Sequence, residues 1–292
     1  MLGIQGMGQE GVQKVQTNER RRAQFELERC LRQRVLSSSK EDRQGITAAA
    51  YEELFTKFPN HSSLHLKPQD RQRAGSLSAG LIAPLIPGKG RILEVGCGMG
   101  DTLRVLTQRG YDCVGTEASG QMVSLCQQAG DLKVVPGIAS RLEFPDNSFC
   151  FVYCQQVLEH LHPEDLPGFF AEALRVLQPD GVLSVETPNS RTGPQDISRG
   201  FAPTAQGLHL KEWTVGELAQ QFRIAGFHRI RGLLVSQFVA RRSRLIHRLA
   251  RVPAGVKYIQ DLLLGCIPGL RPRTIAGRLL GLNDIFLFGR KP

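Results

Sequence analysis

Three groups of residues have types and spacings that could do chemistry. The first is RILEVGCGMGD, Arg91 to Asp101, an apolar run that breaks into Gly96, Gly98 and Gly100. Glycines at alternate positions let a backbone approach a ligand closely, usually a nucleotide. The second is Glu117, which ends the next apolar run, YDCVGTEAS. A carboxylate about 20 positions beyond a glycine loop, at the end of a second strand, can accept two hydrogen bonds from vicinal ribose hydroxyls. The third is CQQVLEHLH, where Gln156, Glu159 and His160 stand at i, i+3 and i+4. On a helix over 156–161 they would share one face.

The spacing of the glycines selects among nucleotides. A dinucleotide fingerprint, G-x-G-x-x-G, would put its last glycine at Asp101, where a carboxylate repels a pyrophosphate. A triphosphate loop needs Gly-Lys-Ser/Thr, which does not follow. A tight turn without a ligand is the remaining alternative, and Glu117 in the same βαβ unit weighs against it. Loop and carboxylate together describe an adenosine with a free ribose and no phosphate.

These groups must be positioned by strands at 91–95, 112–117, 132–135, 149–154 and 181–187. Helical stretches at 101–109, 119–129, 156–161 and 166–177 alternate with them. Such alternation predicts an α/β fold, a parallel sheet covered on both faces. A helix at 214–225, a strand at 227–236 and a last strand at 284–289 follow. Upstream, a disordered start leads into a charged helix from Glu19 to Leu36. Two further helices flank a polar loop containing Pro59 and Pro68.

Composition bounds the classes. Residues 88–190 carry 7 Lys/Arg against 13 Asp/Glu, a balance of −6, whereas the rest of the 292 residues carry 30 against 14, a balance of +16. Basicity therefore belongs to the flanks, as ordinary solvated helix faces or as a surface for nucleic acid or anionic membrane. One Trp and four Tyr are sparse for a nucleic-acid groove. Seven cysteines without a C-x-x-C pair argue against a disulfide framework or zinc knuckle and for a reducing compartment. Cys150 and Cys154 are expected on one face of a strand, as core. The start has no apolar signal region, and no run is long enough to span a membrane. The expected location is cytoplasmic, with peripheral membrane contact as a further option.

Over residues 88 to 235 the sequence resembles the class I S-adenosylmethionine-dependent methyltransferases. The stretches that carry the likeness are ILEVGCGMGDTL, GYDCVGTEAS, LEFPDNSFCFVYCQQVLEHL, EALRVLQPDGVLSVETPN and HLKEWTVGELAQQFRIAGF. The resemblance implies a doubly wound, seven-stranded, mostly parallel sheet with the cofactor over the carboxyl ends of strands one, two and four. By the same implication Glu94 to Gly100 wrap the methionine part of S-adenosyl-L-methionine, and Glu94 helps hold its ammonium. Glu117 binds the ribose and Met122 lies against the adenine. Cys97, Ala118, Ile138, Ala139 and Gln155 complete the cofactor-binding set. Two positions depart from the family pattern: Ile138 and Cys150 stand where acidic residues are usual.

Some relatives, including ubiquinone-pathway O-methyltransferases, carry E-x-x-E-H after strand four and hold a divalent metal there with a later histidine. Here Gln156 replaces the first carboxylate, and an amide is a poorer ligand for a hard cation. Glu159, His160 and His209 form the tentative metal set. A metal-free general base, His160 or His209, and a purely structural role for these residues are the competing readings. The motifs of amino-directed DNA methyltransferases and of cytosine C5 enzymes do not occur.

The expected organisation is a basic, partly disordered extension (1–45), a methyltransferase core (46–236), a basic helical insertion or lid (237–283) and a last strand with tail (284–292). Residues 241–281 hold nine Lys/Arg and one acid, Asp261. As basic amphipathic helices they would either cover the acceptor pocket or lie on an anionic membrane. The functional expectation is methyl transfer to a small-molecule or lipid-linked acceptor, with oxygen as the acceptor atom. The alternatives are a non-catalytic cofactor-binding scaffold and an RNA methyltransferase.

Overall fold

The computed structural model describes residues 9–59, 67–88, 90–130, 132–233, 246, 248 and 250–292. The chain divides into two units, each with its own core: the described residues of 1–65 with 194–210, and those of 66–193 with 211–292.

In the first unit, α1 (Gln9–Leu36) packs against α2 (Arg43–Lys57). Helix α1 starts at Gln9, ten residues before the expected Glu19. Leu31, Val35, Ala50 and Leu54 form its core with Leu208 and Leu210. The spacing Leu27, Leu31, Val35 puts one apolar residue per turn on the buried face. The 194–210 segment folds on its own polar groups: the Ser198 hydroxyl accepts from the backbone N–H of Gln206 and Gly207. Phe201 stacks on Phe25 with ring centroids 5.0 Å apart.

In the second unit, α3 (Pro68–Ile82) leads into a sheet built from β1 (Ile92–Val95), β2 (Cys113–Glu117), β3 (Val134–Pro136), β4 (Phe149–Gln155), β5 (Leu177–Pro188), β6 (His228–Leu233), β7 (Arg251–Pro253) and β8 (Asp284–Arg290). Helices α4 (Asp101–Gln108), α5 (Gly120–Ala129), α6 (Leu166–Val176), α7 (Val215–Ile224), α8 (Ala254–Gly265) and α9 (Leu270–Leu280) connect the strands. The order is β3-β2-β1-β4-β5-β8-β6-β7, with β8 antiparallel to both β5 and β6. All four residues of β1 are buried, as in a parallel strand covered on both faces. One core layer joins the sheet to α6, α7 and α8 through residues such as Phe170, Phe222 and Leu264. The other joins it to α3, α4 and α5 through Ile82, Leu103 and Val123. Strand order reverses between β1 and β4, which opens the ligand crevice at their carboxyl ends.

Three expectations change. The sheet has eight strands rather than seven, because Arg251–Pro253 adds an edge strand beside β6. Cys150 and Cys154 face opposite core layers, since a register shift between Phe149 and Phe151 interrupts the alternation. Residues 156–161 form turns and bends rather than a helix. The expected continuation of β6 to 236, and most of the basic segment 241–249, lie outside the described residues.

Candidate functional site at the carboxyl ends of the strands

The glycine loop leaves β1 in a left-handed path. Gly96, Gly98 and Gly100 have φ of 68°, 53° and 71°, a region in which a side chain is strained. The N–H groups of Gly96 and Cys97 both donate to the Thr116 carbonyl, at 2.8 and 3.1 Å, which lashes the loop to β2. A Cβ on Gly96 would strike Val157, and one on Gly100 would strike Leu132. At Gly98 a Cβ would meet open space.

Glu117 binds the loop as well as ending β2. Its Oε2 accepts from Gly98 N–H and its Oε1 from Ser119 N–H, both at 2.9 Å. The Ser119 hydroxyl caps α5 by accepting from Met122 N–H, which places Met122 buried in the first turn while Ala118 stays exposed. Ile138 and Ala139 lie in the turn after β3, where Ile138 bridges to Arg141 and Ala139 joins the core. Cys150 lies at the other end of β4, beside Gly90, so the departure there does not touch the carboxyl ends.

Glu94 is the unbalanced group of the site. It is 5% exposed, and its Oε2 has no hydrogen-bond partner among the described residues. Burial, reinforced by the negative charges of Asp101 and Glu117, pushes its carboxyl up to about 8, against a backbone hydrogen bond from Leu103. Asp101 is itself held from outside the loop. Arg71 of α3 donates to both Asp101 oxygens, at 2.7 to 3.2 Å, and to the Met99 carbonyl at 3.2 Å. A loop flanked by three carboxyl groups, one of them with an unpartnered oxygen, fits a cationic ligand. S-adenosyl-L-methionine, with an ammonium and a sulfonium, has that charge.

On the acceptor side the second unit adds Glu186 and Thr187 to the expected residues. Gln155, at the end of β4, donates to Glu186 Oε2 at 3.2 Å, and the buried Tyr153 hydroxyl donates to the same oxygen at 3.3 Å. Gln156 has φ of 53° and turns away, its amide donating to Asp284 at 3.4 Å. Without a helix the i, i+3, i+4 argument fails, and of the expected metal set this unit brings together Glu159 and His160. Glu159 is fully buried and its Oε2 accepts from the Thr187 hydroxyl at 2.9 Å. His160 is half-buried, with Nε2 4.0 Å from Glu159 Oε1. His209 belongs to the first unit, within electrostatic reach of the buried Glu28. Trp213 is core, its indole N–H donating to the Leu158 carbonyl at 3.4 Å.

Sequence reasoning missed Arg71 and Glu186. Glu186 left a signal, an acid inside the otherwise apolar VLSVETP. Arg71 left none, since it meets Asp101 across 30 residues.

Residues 93–185 match a protein family described as a methyltransferase domain. Within those residues the chain carries a methyltransferase domain. The probable methyltransferase ltbC of Aspergillus luteorubrus is 30% identical over 42% of this chain and 48% of its own length. The sterol 24-C-methyltransferase of Schizosaccharomyces pombe is 35% identical over 34% of this chain and 28% of its own. The chain thus spans about half or less of the curated relatives it matches. A solved S-adenosylmethionine-dependent methyltransferase from Archaeoglobus fulgidus shares the fold, at a TM-score of 0.53 and 19% identity over 75% of this chain and 94% of that one. The methyltransferase domain's cavity of about 450 Å³ between α6 and α7, lined by Phe170, Leu174, Gln221 and Lys291, is remote from the glycine loop. No described helix is long and apolar enough to cross a membrane.

Proposed function

We propose that the chain transfers a methyl group from S-adenosyl-L-methionine to a small apolar or lipid-linked acceptor, at a hydroxyl oxygen. The observation that carries the donor half is Glu94, a buried carboxyl group with one unpartnered oxygen beside a loop already crowded with negative charge. When bound, the cofactor supplies the electrophilic methyl group. Glu94 receives the ammonium, and the free lone pairs of Glu117 receive the ribose hydroxyls. Met122 packs on the adenine, while Cys97, Ala118, Ile138, Ala139 and Gln155 line the remainder. Gly98 leaves room for close backbone approach.

On the acceptor side, His160 takes the hydroxyl proton, and the adjacent Glu159 carboxylate stabilises the imidazolium that forms. Thr187 fixes the orientation of Glu159. His209 is the second candidate base. No step is routed through a metal, and Gln156, engaged with Asp284, supplies no further carboxylate to Glu159, His160 and His209. The likeness to a sterol methyltransferase supports an apolar acceptor.

The test is calorimetric binding of S-adenosyl-L-methionine, followed by incubation with lipid and metabolite extracts and a search for products heavier by one methylene. Cofactor binding without any product would favour a non-catalytic scaffold. His160→Ala is expected to lower turnover by about 10²-fold or more while cofactor affinity stays the same. Turnover equal to that of the unmodified protein removes the base role, and chelator is expected to leave it unchanged.

A further inference from the structure

Helix α8 is amphipathic in reverse. Its buried positions, Ala254, Lys257, Asp261 and Leu264, include both of its charged residues. Its outward positions carry Val256, Tyr258, Ile259, Leu262 and Leu263, at exposures of 38–64%. Helix α9 continues the surface with Leu270, Ile275, Leu279 and Leu280, of which Leu279 is 77% exposed. Nine of the thirteen exposed large apolar side chains among the described residues lie on these two helices. Scattered exposed apolar residues are ordinary, but a concentration of this kind marks a surface that meets something else.

The charge pattern says what that is. Asp261, the one acid between residues 251 and 283, points inward, where it accepts from Asn189 and Arg191, each at 2.9 Å. The outward surface therefore has no acid, and it has two exposed cations, Arg271 and Arg278, beside Ile275 and Leu279. A second copy of the chain would bring arginines against arginines. A bilayer with anionic headgroups accepts the apolar side chains and the cations together.

Both helices are also fixed to the loop that leaves the carboxyl end of β5. Asp261 holds Asn189 and Arg191, and the Thr274 hydroxyl donates to the Thr192 carbonyl at 3.4 Å. Glu186 and Thr187, on the acceptor side of the site, immediately precede that loop.

We propose that the outward face of α8 and α9 docks on an anionic membrane surface and presents the acceptor side of the site to substrates dissolved in the bilayer. The proposal rests on the lipid-linked acceptor reading and narrows it: the acceptor is taken from the membrane rather than from solution.

The test is co-sedimentation of the full chain with phosphatidylcholine vesicles, with and without about one-third phosphatidylglycerol. Binding is expected to be about tenfold or more stronger to the anionic vesicles and to weaken severalfold at high salt. The double variant Leu263→Asp/Leu279→Asp changes only exposed positions and is expected to lose vesicle binding by about tenfold or more, with cofactor affinity and melting temperature unchanged. Three results overturn the proposal: no preference for anionic vesicles, undiminished binding by the double variant, or a concentration-dependent dimer that the variant abolishes. Cofactor affinity is read on the same samples. Failure of docking with intact cofactor binding therefore leaves the methyltransferase reading standing, and failure of cofactor binding removes that reading separately.

Discussion

The glycine loop and the α8–α9 pair are incomplete in opposite senses. At the loop, an acid is buried without a counter-charge: Glu94 lies under the fields of Asp101 and Glu117, which with burial hold it protonated, and one of its oxygens has no partner. At α8 and α9, apolar surface is exposed without a cover while the charges of α8 are turned inward. Burying an unsatisfied polar group and wetting an apolar face both cost free energy. A fold that retains either is complementary to something it does not contain. The difference teaches which: a small cation at the loop, and an apolar, anionic surface at the helix pair.

The largest expected effect separates the two regions outright. Glu117→Ala removes acceptors from Gly98, Ser119 and the ribose, and at about 1.5–3 kcal/mol for hydrogen bonds to a charged group it should weaken cofactor affinity by about 10- to 100-fold. Vesicle binding should not change. Unaltered affinity by calorimetry would remove Glu117 from the donor site.

Next is the pH dependence. The Glu94 carboxyl, raised to about 8 from an ordinary 4.5, holds its proton in the folded, ligand-free protein over that window. The folded state then binds more protons than the unfolded one, so this group's contribution to stability falls as pH rises from about 4.5 to about 8. A bound cation favours the ionised form and expels the proton. Affinity should therefore rise with pH, by at most about tenfold per unit, and level off above about pH 8. Glu94→Gln should flatten the profile. Calorimetry in buffers of different ionisation enthalpy tests this, and binding without proton release at pH 7 would contradict it.

The third effect concerns α8. Burial lowers the Lys257 ammonium from 10.5 to about 8, against the attraction of Asp261. Between those values the unfolded chain binds more protons, so stability should rise with pH across the window. Lys257→Met should stabilise the protein by about 1 kcal/mol at neutral pH and abolish that rise. Urea unfolding at pH 7 and at about pH 10 would show it, and a destabilised variant would mean that the inward charge is structurally required.

The smallest effect lies at the outer support of the loop. Arg71→Ala should cost about 1 kcal/mol in stability, since the pair with Asp101 is partly solvated, and should speed cofactor release by roughly threefold. Stopped-flow dissociation would measure it. A release rate unchanged in the variant would make Arg71 a surface pair only.

The donor side was legible because its determinants are local. Gly96, Gly98, Gly100 and Glu117 lie in one βαβ unit, and only glycine is comfortable at the φ values that the loop adopts. The conformation of 156–161 was misread because Gln156, Glu159 and His160 fit a helical period that tertiary pairing overrides. Gln156 N–H donates to the Glu186 carbonyl, so the chain prolongs the β4–β5 ladder and then turns. Thr187, which donates to Glu159, and Asp101, whose charge acts on Glu94 and which Arg71 holds, come from other elements and leave no local pattern.

By itself the sequence determined the alternation of strands and helices, the position of the glycine loop and the type of ligand it excludes. These follow from hydrophobic period and backbone sterics, which act over a few residues. Tertiary structure alone decided which buried carboxyl group keeps an unpartnered oxygen, which way α8 turns its charges, and that Arg71 braces the loop. Burial and electrostatic fields are sums over neighbours that only folding brings together.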